Sequence, residues 1–196
     1  MPLTTITPAV AEPVSLAEAK AFAKVENTAE DDLIETLIAA ATEHVQNMTG
    51  RQLEVATYLL TLRCFPHDCL IRLPRSPVVE VESVKYQNSD GILQTLVADT
   101  DYLVDAAAEP ATVEPVTALP ATGEYPDSVQ VQFVAGYEPT ADSPPVSTVP
   151  KRARVAIMAL MTHWHEHRPA GDVSQIHETP LHVSRLIAGL RVGGAL

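Results

Sequence analysis

From Leu33 to Met48, apolar residues return every three or four positions. Ile34, Ile38, Ala41, Val45 and Met48 mark one face, and Leu33 and Leu37 widen it. That spacing predicts an amphipathic helix over 29–49. Thr28 is placed to cap it. Glu30, Asp31 and Asp32 fill the first turn, where the helix dipole favours anions, and Gly50 supplies a left-handed stop. A shorter helix is predicted ahead of it, over 15–24. There Ser15 caps, and Glu18 three residues on completes a capping box. Leu16, Ala19 and Ala23 or Phe22 offer its buried face. Residues 1–12 read as a flexible arm.

From Glu54 the period changes to two. Tyr58, Leu60, Leu62 and Cys64 alternate with Thr57, Leu59, Thr61 and Arg63, and Pro66 ends the run. Leu70–Leu73 reads as a short strand. Val79 and Val81, then Val84 and Tyr86, predict a strand with a bulge near Ser83. Asn88-Ser89-Asp90-Gly91 is a turn, with Ile92–Val97 returning as the hairpin partner. Tyr102–Val104 adds a short strand. Residues 106–126, rich in Ala, Pro, Thr and Glu, read as a loop with at most one short strand. Val129, Val131, Phe133 and Ala135 alternate cleanly, and a Pro-rich linker follows over 138–149.

Helical spacing resumes at Pro150, a residue suited to a first turn. Val155, Ala156, Ala159, Leu160, His163 and Trp164 trace an apolar face, with Ile157 and Met161 beside it. Pro169-Ala170-Gly171 closes this helix, 172–179 is polar, and Leu181–Leu190 can form a last short helix.

The chain has 196 residues, enough for a real core, and no internal repeat of solenoid length. A net charge of −12 and only 5% aromatic residues argue against binding to duplex or single-stranded nucleic acid. The charge is uneven. Residues 1–50 hold two cations against eight carboxylates, whereas 138–196 hold six cations against five. No apolar run is long enough to span a bilayer, and the N-terminus lacks the pattern of a signal peptide. Cys64 and Cys69 are therefore expected as free thiols, Cys64 buried on its strand and Cys69 exposed.

Candidate chemistry is sparse. His163 and His167 stand four apart on a helix, a spacing that suits a metal ion and would suit a small metallohydrolase. Yet Trp164 takes the place that Glu holds in a zinc-protease motif, and no third ligand is near in sequence. Packing of Trp164 in the core, with histidines lining the helix end, accounts for the same residues. Lys151, Arg152 and Arg154 put three cations in a helix's first turn, against its dipole. They read either as solvated surface charge or as a basic contact patch for carboxylates or DNA phosphates. No phosphate loop, dinucleotide fingerprint or nucleophile elbow occurs, so no catalytic residue, metal or cofactor is assigned.

Several short words stand in a telling order: Pro13–Lys20, Asp31-Asp32-Leu33-Ile34, Thr49-Gly50-Arg51, Leu73-Pro74-Arg75-Ser76-Pro77, Asp101-Tyr102, Phe133–Tyr137 and the helix with His163-Trp164. Together they resemble the head–tail connector (adaptor, head-completion) family of tailed bacteriophages and gene transfer agents, in its subgroup with a β insertion. The resemblance covers most of 13–190. It implies an α+β fold: a helical bundle from 13–51 and 150–190, an antiparallel β insertion over 54–137, a linker over 138–149, and flexible ends at 1–12 and 191–196.

The resemblance further implies a structural part of a virion, assembled from the host cytoplasm and located at the head–tail interface. Family members form a ring, usually dodecameric, below the portal protein. They extend the DNA channel and dock the stopper or tail-completion protein. An acidic wall suits passage of DNA without specific binding, and Glu30, Asp31, Asp32 and Glu35 are the candidates to face the channel or a neighbouring subunit. The family's C-terminal region commonly engages the portal. Here Leu181, Val183, Leu186, Ile187 and Leu190, with Arg185 and Arg191, are the candidates for docking. No membrane partner is implied. An alternative role is a DNA-packaging accessory protein acting through Lys151, Arg152 and Arg154.

Overall fold

The computed structural model describes residues 2–116, 118–123, 125–143, 146–167 and 180–193. The chain is α+β and divides into two compact units. Of the described residues, one unit takes in those up to Val10 together with Glu54–Glu138; the other takes in Ala11–Leu53 and those from Pro139 to Gly193.

In the first unit the strands β1 (Leu3–Thr7), β2 (Ala56–Leu62), β8 (Val129–Ala135), β4 (Val78–Gln87) and β5 (Leu93–Leu96) form one antiparallel sheet in that spatial order. A second sheet sets β3 (Ile71–Arg72), β7 (Thr112–Pro115) and β6 (Tyr102–Asp105) side by side. The sequence pattern predicts a single layer; the second sheet arises because Ala111 and Val113 bury themselves within the Ala/Pro-rich segment. The alternation along β2 and β8 sends Tyr58, Leu60, Val129, Val131 and Phe133 into the core, with Tyr58 opposite Phe133 and their rings 5.7 Å apart. β4 carries the expected bulge between Val81 and Ser83, and a second between Val78 and Glu80.

Gly136 follows β8 with φ 139°, and a Cβ there would stand 2.6 Å from the Glu54 carbonyl. Only glycine fits both conditions, which gives the Phe133–Tyr137 word a physical meaning.

Two further expectations fail in this unit. Residues 1–12 are not a free arm, because Leu3–Thr7 pair with β2 and Thr61 N–H donates to the Pro2 carbonyl at 3.1 Å. Thr4, Thr5, Ile6 and Thr7 are β-branched and suit a pleated strand, and they cover an edge that β2 would otherwise expose. Cys64 is exposed, like Cys69, because β2 ends at Leu62 and the chain bends before Pro66. Both thiols are free.

The second unit contains α1 (Leu16–Ala23), α2 (Asp31–Thr49), α3 (Lys151–Glu166) and α4 (Leu181–Ala188). α2 packs on α1, α3 and α4, and α3 packs on α1 and α4. The box at Ser15 is formed as the sequence indicates: Glu18 N–H donates to Ser15 Oγ at 3.3 Å, and Ser15 N–H donates to Glu18 Oε2 at 3.1 Å. α2 starts later than predicted. Glu30 occupies the cap position without a side-chain cap bond, and Thr28 contributes only its carbonyl, to Asp31 N–H at 3.4 Å.

The buried face of α2 is Ile34, Ile38, Ala41, Val45 and Thr49, with Met48 turned outward. α3 is rotated from its predicted face. Ala153, Ala156, Ile157, Leu160 and Met161 are buried, Val155 is exposed and Trp164 is only half-buried, its ring meeting His44 edge-on at 6.1 Å. The linker expected over 138–149 belongs to this unit from Pro139, and Val149 is buried in it. The polar segment 172–179 and the predicted stop at 169–171 lie outside the described residues.

Candidate functional site

The cations at the start of α3 do not form one patch. Two residues apart on a helix is about 200° of rotation, so Arg152 and Arg154 leave α3 in opposite directions. Arg154 turns to α1, where Nε donates to the Pro13 carbonyl at 3.0 Å and Nη2 pairs with Glu18 Oε1 at 2.5 Å. Glu18 is held below the usual carboxylate range, first by the Ser15 backbone N–H, then by Arg154 and the Ser15 hydroxyl.

Arg152 turns to α4. Its Nη1 lies 3.0 Å from where a Cβ of Gly189 would be, at the C-terminal cap of α4. A cation is favoured at that end of a helix, so the charge that opposes α3's dipole complements α4's. Lys151 is exposed.

The acidic cluster also divides. Asp31 pairs with Lys20 at 2.5 Å, and Glu30 Oε2 lies 3.0 Å from His165 Nε2. Asp32 and Glu35 are exposed. Glu35 joins Glu12 on the rim of a hollow of about 460 Å³ whose lining includes Val14, Leu16 and Ile38.

α4 is seated on its own unit. Val183, Ile187 and Leu190 are buried, Arg51 Nε donates to the Leu190 carbonyl at 2.6 Å, and Val192 N–H donates to the Thr49 carbonyl at 2.8 Å. Thr49-Gly50-Arg51 thus receives the end of α4, and the chain through Val192 is held there rather than loose. Val183, Ile187 and Leu190, expected as docking residues, turn their apolar side into the core of this unit. What stays outward is Leu181, 67% exposed, with Arg185 and Arg191, while Leu186 is half-buried. Leu181, His182, Arg185 and Leu186 line a groove of about 690 Å³ with Arg152.

The histidine pair of α3 has its rings 4.3 Å apart, and His167 Nδ1 lies 2.9 Å from the His163 carbonyl oxygen, as a donor to it. Burial lowers the His163 pKa, and the positive charges of His167 and His182 lower it further. Among the described residues no three His, Cys, Asp or Glu side chains converge as a metal site.

Sequence reasoning missed Glu12 and His182 as parts of these surfaces. Nothing in their local pattern marks them; each gains its place from a residue distant in sequence.

The words that carry the sequence resemblance fall into two groups: helix caps and helix seats in the second unit, strand ends and turns in the first. Residues 13–102 match the phage gp6-like head-tail connector protein family. The resemblance read from the sequence is thereby borne out over α1, α2 and the strands through the start of β6. No curated protein sequence matches the chain.

The fold is shared with solved structures along the whole chain. A chain in the virion of a native gene transfer agent particle is 20% identical, with TM-score 0.79, the match covering 100% of this chain and 98% of that one. A chain in the neck of an empty gene transfer agent particle, computed with C6 symmetry, is 20% identical over the same shares with TM-score 0.77. A chain in the neck of a native particle, computed with C12 symmetry, is again 20% identical over the same shares, with TM-score 0.68.

Proposed function

We propose that this chain is a structural head–tail connector subunit of a tailed phage or phage-like particle. Copies of it form a ring in the neck, below the portal protein, through which DNA passes and on which the stopper or tail-completion protein sits. The observation that carries this reading is the end-to-end likeness of the fold to a chain of gene transfer agent particles. The connector match over residues 13–102 supports it independently. The C6 and C12 symmetry of the two neck structures supports a ring, with twelve copies as the expected number.

The surface chemistry suits the role. With a net charge of −12, a channel wall built from this chain repels phosphate, and DNA slides past it without nonspecific capture. Asp32 is the candidate to face the lumen, since Glu30 and Asp31 already serve internal pairs. A packaging factor that grips DNA through Lys151, Arg152 and Arg154 is less well supported, because Arg152 and Arg154 leave α3 in opposite directions.

Particles assembled without this chain should accumulate as DNA-filled heads beside free tails. Normal tailed particles in its absence would remove the chain from the neck.

A further inference from the structure

Two surfaces of the helical unit complement each other and cannot meet within one molecule. α3 lies between them, with α1 packed on the side that Arg154 faces and α4 on the side that Arg152 faces. On the α4 side, Leu181 stands 67% exposed, one turn from Arg185, above the groove that Arg152 lines. Among the described residues neither Arg152 nor Arg185 has a carboxylate partner. On the α1 side, a hollow floored by the buried Val14 and Ile38 is lined also by the half-buried Leu16 and the exposed Glu12 and Glu35. One surface is an exposed leucine beside cations; the other is a hollow whose exposed lining includes two carboxylates.

We infer that Leu181 and Arg185 of α4 seat in the hollow bounded by Glu12 and Glu35 of a neighbouring copy of this chain. Leu181, 67% exposed in the free chain, and the partly exposed Leu16 leave water on seating, and the charges of Arg185, Glu12 and Glu35 fix the register. The contact is head-to-tail, since each copy offers a different face to each neighbour. Such contacts close into a ring when the rotation between copies closes. This rests on the ring reading above and adds to it the residues that join one subunit to the next. A second copy is the occupant the structure favours, because this chain itself carries the matching acidic hollow.

Crosslinking in assembled particles tests the contact. With Cys64 and Cys69 replaced by Ser, Glu12→Cys and Leu181→Cys together should give, on mild oxidation, a ladder of multiples of the chain. Each single variant should give no ladder. Arg185→Glu and Glu35→Arg should each reduce ring-bearing particles, and the two in one chain should restore them. A ring visible in the neck without the ladder overturns the inference and leaves the ring reading standing. Crosslinking of Leu181→Cys to a different protein overturns it in favour of that partner. Absence of any ring overturns both. Circular dichroism matching the parent chain confirms that the exposed substitutions leave the fold intact.

Discussion

Arg154 reaches back 141 residues along the chain to donate from Nε to the carbonyl of Pro13 at 3.0 Å, while its Nη2 holds Glu18. One side chain so ties the entry of α1 to the first turn of α3. Both ends of the pair are partly exposed, which limits the ion pair to about 0–1 kcal/mol, and the carbonyl bond adds about 0.5–1.5 kcal/mol. Arg154→Ala should therefore destabilise the chain by about 1–2 kcal/mol in chemical denaturation. An unchanged midpoint would show that the tie contributes nothing.

The same clasp sets a pH dependence. Glu18 is lowered by the Ser15 backbone N–H, by Arg154 and by the Ser15 hydroxyl. A carboxylate lowered on folding adds stability that is complete above its unfolded pKa and is lost as pH falls through its folded value. Glu18→Gln should lower stability at neutral pH and flatten its decline in acid. A parallel acid limb in parent and variant would contradict the assignment.

His163 acts in a higher window. Burial and its neighbours His167 and His182 lower its pKa, so the folded chain favours the neutral ring. Its share of stability is complete above the ordinary histidine range and falls away as pH drops through the lowered value. His163→Asn should remove the upper part of the acid limb, read as stability against pH, and leave the part due to Glu18.

Core and backbone give the largest expected effects. Ile38 is 2% exposed, and Ile38→Ala should cost about 2–5 kcal/mol. Ile38→Asp should prevent folding. At Gly136 an added methyl meets the Glu54 carbonyl at 2.6 Å with φ at 139°, so Gly136→Ala should cost more than about 1 kcal/mol. A melting temperature unaffected by Gly136→Ala would mean that the close approach relaxes freely.

The two halves of the acidic cluster should separate in experiment. Asp31→Lys sets two cations together at Lys20 and should weaken the α1–α2 pairing. Asp32→Lys has no ion pair to break among the described residues and should cost only the helix-dipole contribution, about 0.3–1 kcal/mol, while slowing DNA ejection. Equal stability losses in the two variants would contradict the division drawn here.

What was legible in the sequence was local. Ile34, Ile38, Ala41 and Val45 announce α2, the alternation from Val129 to Ala135 announces β8, and Ser15 with Glu18 announces the start of α1. What was hidden depended on distant partners. β1 is short and rich in threonine, and it becomes a strand because β2 offers an edge. The apolar side of α4 reads equally well as a docking face. In the fold Thr49-Gly50-Arg51 receives its end, with the Arg51 guanidinium bonding to the Leu190 carbonyl from 139 residues away. On α3, an exposed Val155 draws the predicted face off its true axis. Arg152 and Arg154 look alike in sequence, and only the positions of α1 and α4 give them different partners.

The central claim is that this chain forms the connector ring of a particle neck. Cryo-electron microscopy of purified particles, focused on the junction of head and tail, tests it most directly. The account predicts a closed ring between head vertex and tail into which the helical and β units of this chain fit, surrounding the DNA path. Particles whose neck density is complete without this chain, or which carry it elsewhere, would contradict the account.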